Sequence, residues 1–85
     1  MEERLIPIID EKIKDLDVHV DSIKVEKEDN ETYLRIALDA DFIIDLNTVV
    51  KATRIINTII DKENIELENY NLDIYAKPKG DIDNG

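Results

Sequence analysis

The chain contains no cysteine, which excludes a disulfide staple, a thiolate zinc site and a cysteine nucleophile, and fits a reducing compartment. Its only two glycines, Gly80 and Gly85, fall near the end, so no glycine-rich loop is available to cradle a nucleotide phosphate at a helix start. There is one histidine, His19, so a catalytic triad would have to centre on it. No apolar run approaches the roughly 20 residues of a membrane span, and Met1-Glu2-Glu3-Arg4 lacks the basic-then-apolar layout of a secretion signal. A cytoplasmic protein is expected. Basic residues are also scarce: 11 Lys and Arg face 21 Asp and Glu, for a net charge of −10. Such a chain repels a phosphate backbone, which argues against DNA and against RNA as sole ligand.

What remains is aliphatic. Ile, Leu, Val and Phe number 28 of 85 residues, enough for one folded domain and too few for two. Leu5, Ile9, Ile13 and Leu16 recur at helical spacing, with Pro7 tolerable only in a first turn. A strand is expected over Val18–Lys27, where the alternation of Val18, Val20, Ile23 and Val25 slips phase at Asp21-Ser22, the mark of a changed face or a bulge. Glu28-Asp29-Asn30-Glu31 has hairpin length, and Leu34, Ile36 and Leu38 share one face of the strand that follows. From Asp45, a suitable N-cap, the period is helical again: Leu46, Val49, Thr53, Ile56 and Ile60 form a stripe widened by Val50 and Ile59. Tyr70, Leu72 and Ile74 then alternate as the buried side of a last strand.

The order α-β-β-α-β predicts an α+β fold, a two-layer sandwich with both helices on one face of a three-stranded sheet. A crossover from the second strand to the third that leaves room for the first between them predicts an antiparallel sheet of order 2-1-3. Residues 1–76 form the expected domain. Residues 77–85, with both glycines and Pro78, read as a flexible tail or truncated linker.

Sharper chemical readings give way to plainer ones. No serine stands in a Gly-x-Ser-x-Gly turn, and His19 reads as a strand-surface histidine. With 21 carboxylates in so short a chain, acid pairs arise by coincidence and do not mark acid–base catalysis. Asp39-Ala40-Asp41 followed by Asp45 resembles a calcium loop but lacks its central glycine and closing glutamate, so a capped turn is expected there. Asp81-Ile82-Asp83-Asn84-Gly85 reads as a solvated end. The Gly-x-x-Gly clamp of KH-type RNA binders is absent. Tyr33 and Tyr75 should lie on the sheet face opposite the core, as surface packing. No catalytic residue, cofactor or metal is expected.

Leu34-Arg35-Ile36-Ala37-Leu38-Asp39, Ile44-Asp45-Leu46 with Val50-Lys51, Ile60-Asp61 and Tyr70-Asn71-Leu72-Asp73-Ile74, taken in order, resemble the N-terminal domain of RimP, the bacterial ribosome maturation factor. The first of these is similar to that family's Leu-Arg-Val-x-Ile-Asp strand. Ile44-Asp45-Leu46 with Val50-Lys51 is similar to its second-helix opening, Ile60-Asp61 to that helix's end, and Tyr70-Asn71-Leu72-Asp73-Ile74 to its Tyr-x-Leu-Glu-Val. The resemblance runs from Leu5 to Ile74. The chain departs from the family at Asp41-Phe42-Ile43, where a glycine is usual, and at Tyr75-Ala76-Lys77-Pro78, where the family has Ser-Ser-Pro-Gly. Family members carry a second, Sm-like domain. The resemblance implies a non-enzymatic factor for assembly of the small (30S) ribosomal subunit, binding a basic ribosomal protein and adjacent 16S rRNA.

Charge is uneven along the chain. Asp10–Glu31 holds nine acids against four lysines, and Glu63–Tyr75 four acids against no base, whereas Asp45–Ile60 offsets one acid with Lys51 and Arg54. Binding without catalysis is expected, by a monomer, with Arg35, Asp39, Asp45, Lys77 and Lys79 as the candidate partner-binding residues. The competing reading is a stand-alone acidic adaptor that pairs a strand edge with a non-ribosomal protein.

Overall fold

The computed structural model describes residues 2–63 and 70–78. Helix α1 (Leu5–Ile13) lies between two short 3-10 turns, Glu2–Arg4 and Lys14–Leu16. Pro7 is its third residue, inside the first turn where a missing N–H costs little. Leu5, Ile9 and Ile13, one helical turn apart, are fully buried. Asp17, in the left-handed region at φ 62°, donates its N–H to the Lys14 carbonyl at 2.9 Å and turns the chain into strand β1 (His19–Glu28).

The phase slip in β1 is a bulge. Pairing to strand β2 (Glu31–Asp39) shifts between Val20 and Ser22, so Asp21 is the extra residue and Ile23 regains the core face that Val20 occupies. Above the bulge, the Asp10 carboxylate of α1 accepts the Val20 N–H at 2.7 Å and ties helix to strand. A two-residue turn joins β1 to β2. Asp29 (φ 50°) and Asn30 (φ 69°) both adopt positive φ, the type I′ geometry whose twist matches a hairpin.

Helix α2 (Leu46–Lys62) returns the chain to strand β3 (Tyr70–Ala76). The sheet order is β1-β2-β3, antiparallel between β1 and β2 and parallel between β2 and β3. The expected order 2-1-3 and the all-antiparallel sheet are thereby corrected. The physical reason is unequal apolarity: Leu34, Ile36, Ala37 and Leu38 of β2 are buried, whereas β1 exposes Lys24, Val25, Lys27 and Glu28. The most apolar strand takes the centre, and the crossover lands on its free side.

The core is one cluster on one face of the sheet, joining α1, α2, β1 and β2, with Leu72 and Ile74 of β3 packed against its rim. Both helices cover this face: α1 contacts β1 and α2, and α2 contacts β3. In α2 the buried residues are Ala52, Ile56, Ile59 and Ile60. Leu46 and Val50, expected in the buried stripe, are exposed, because the part of α2 that the sheet covers begins at Ala52. The Tyr70 side chain lies outside the described residues.

Candidate functional site

The uncovered sheet face is organised around Arg35. Its Nη1 donates to Glu26 and, at 3.2 Å, to Glu28 of β1, while Nε donates to Asp73 of β3 at 3.2 Å. One guanidinium thus bridges all three strands, with its Cζ 4.6 Å from the centroid of the Tyr33 ring beside it. The hydrogen bonds that Arg35 donates to Glu28 and Glu26 raise its pKa and fix its charge. Asn71 Nδ2 donates to Glu31 Oε1 at 2.7 Å on the same side, and Tyr75, exposed, pairs in register with Ala37.

Three further candidates gather where the parallel strands end. Asp39 closes β2 and accepts the Ala40 N–H on Oδ1 at 2.8 Å. Lys77 donates its backbone N–H to the Leu38 carbonyl at 2.7 Å, extending the ladder past β3, and its Nζ meets the bulge residue Asp21 at 3.3 Å. Asp45 caps α2: Oδ1 accepts the Thr48 N–H at 2.8 Å, and that backbone bond, then the Thr48 hydroxyl, lowers its pKa. The aspartates that imitate a calcium loop are therefore a turn and a cap. Lys79 lies outside the described residues.

A feature without a counterpart in the sequence reading is the corner between β2 and α2. Phe42 is 42% exposed, Ile43 82%, Leu46 76% and Val50 40%. Leu46 and Val50 stand four residues apart on one side of α2, and Asp41 and Asp45 are interleaved with the apolar residues. The signal in the sequence is the run Phe42-Ile43-Ile44 ahead of the N-cap, of which only Ile44 packs on the core.

On the helical side, Lys12, Ile55, Thr58, Ile59 and Lys62 line an open groove of about 240 Å³, below the usual size of a cofactor site. Among the described residues no cluster of three His, Asp or Glu side chains has metal-binding geometry, and no helix is long and apolar enough to cross a membrane. His19 is exposed at the start of β1. The arrangement offers charged and apolar surface for contact.

No curated protein matches the chain. The family model described as the RimP N-terminal domain matches residues 8–76, from within α1 to the end of β3. The chain belongs to the RimP N-terminal domain family, a family of ribosome maturation factors.

Proposed function

We propose that this chain assists assembly of the small (30S) ribosomal subunit in the bacterial cytoplasm, binding a basic ribosomal protein and adjacent 16S rRNA and making or breaking no covalent bond. The observation that carries this reading is the family match over residues 8–76. The net charge of −10 supports a cationic protein as the principal contact, since like charge disfavours rRNA phosphates except beside local cations. In this reading Asp39 and Asp45 face the basic protein. Lys77 and Lys79, after the last strand, meet neighbouring phosphate. Arg35 holds the carboxylates of the open face in place, and the acidic field captures the basic protein and shields it from premature rRNA contacts.

Association of the purified chain with immature and mature small subunits, followed at low and high salt, tests the reading. Preferential binding to immature particles with an on-rate that falls as salt rises is expected. Absence of binding to precursor particles overturns the proposal, and a salt-insensitive on-rate overturns the electrostatic capture step.

A further inference from the structure

We infer that the corner between β2 and α2 is the anchor by which the chain grips its partner, and that the partner is a protein surface on which Lys or Arg side chains surround an apolar recess. The inference deepens the proposed function and rests on its basic protein partner.

Four apolar side chains, Phe42, Ile43, Leu46 and Val50, lie exposed within nine residues, two of them by more than three quarters of their surface. Isolated exposed aliphatics need no explanation, but four within nine residues at the junction of a strand and a helix are more than scattered exposure accounts for, and point to an interaction site. Helix stability does not require Leu46 to be apolar. It is the first residue of α2, the core covers the helix only from Ala52, and Asp45 and Thr48 already satisfy the helix start.

The charges around the corner select the occupant. Asp39, Asp41 and Asp45 flank the apolar group, and the Asp45 carboxylate is held ionised by the Thr48 amide. Docking on a second copy about a two-fold axis would bring this acidic rim against its own image. An anionic lipid surface and an RNA backbone meet the same repulsion. A cationic protein surface alone satisfies both components, with aliphatic anchors desolvated at the centre and aspartates pairing at the rim. Two cations lie beside the corner, Lys51, whose charge also lowers the Asp45 pKa, and Arg54, one turn beyond Val50 and further from the aspartates in sequence, so reversing Arg54 reports the sign of the partner's field without disturbing the Asp45 cap.

The experiment compares the wild-type chain with Ile43→Ser/Leu46→Ser, Asp41→Lys and Arg54→Glu. Each is titrated against immature small subunits, against purified small-subunit proteins one at a time and against naked 16S rRNA, with the oligomeric state recorded. All three variants alter exposed side chains, and circular dichroism checks that each remains folded. The expected result is wild-type binding to precursor particles and to one basic protein, weakened at least about tenfold by Ile43→Ser/Leu46→Ser. Asp41→Lys should weaken it further at low salt than at high salt, and Arg54→Glu should tighten it. Undiminished binding by the double variant overturns the anchor and leaves the proposed function standing. Wild-type failure to bind precursor particles overturns both. Loss of rRNA binding, or of self-association, in the double variant without loss of protein binding assigns the corner to another occupant and overturns the inference.

Discussion

Arg35 and Asp73 are register partners on the parallel strands β2 and β3, and their side chains meet at 3.2 Å while the same guanidinium holds Glu26 and Glu28 on the other side. The ionic contact thus spans a seam whose backbone connection runs through the whole of α2. Replacing Arg35 by Met leaves three carboxylates facing one another across the sheet. Urea denaturation should show a midpoint lower than for Glu28→Gln, which removes one partner only, and high salt should narrow the deficit of Arg35→Met by screening the repulsion.

The N-cap of α2 carries a pH signature. The Asp45 pKa is lower in the fold than in the unfolded chain, so its stabilising contribution is complete above the ordinary aspartate range and is lost as pH falls through the folded value. Asp45→Ala should lower the thermal midpoint by about 5 °C near neutrality. The difference from wild type should close on acidification, as followed by circular dichroism across a pH series.

The hairpin turn holds Asn30 at φ 69° without glycine. Asn30→Gly should raise stability by about 0.5 kcal/mol by relieving the left-handed conformation, and Asn30→Val should lower it by about 1–2 kcal/mol, because a β-branched side chain clashes there. Chemical denaturation of the pair, with amide exchange at Glu28 and Glu31, checks both directions.

Burial separates structural from surface aliphatics. Leu34→Ala, at a fully buried site in the central strand, should cost about 3 kcal/mol, a large share of what a domain of this size has. Ile43→Ser should change stability by no more than about 0.5 kcal/mol. Equal losses in the two denaturation curves would contradict the exposed position of Ile43.

Local features were legible in the sequence because each follows from neighbouring residues. The slip at Asp21-Ser22 is the bulge, Asp45 is the N-cap, Glu28–Glu31 is the hairpin, and Pro7 sits in a first turn. Strand order was not, since alternation shows which face a residue takes and not which strand lies beside it. The clue to the central strand is Ala37, which is buried although it points away from the core, flanked in register by Ser22 and Tyr75. A small residue in a polar phase with neighbours on both sides belongs to a central strand. The apolar corner was hidden for a similar reason: helical period placed Leu46 and Val50 with the core, but period carries no information about where the sheet beneath a helix stops. Of the candidate residues, Asp39, Asp45 and Lys77 come to one end of the fold, and Arg35 sits further back along the sheet.

The bond that the Val20 amide donates to the Asp10 carboxylate lies beside the bulge at Asp21, so one flank of the sheet is distorted and, at that amide, tied to its own helix. Strand β3 carries no such plug among the described residues. If backbone pairing propagates into neighbouring molecules, whether as swapped dimers in concentrated solution or as fibrils on heating, Tyr70–Ala76 is the edge expected to accept the new strand, and a proline introduced there should suppress that growth more than one introduced beside Asp21.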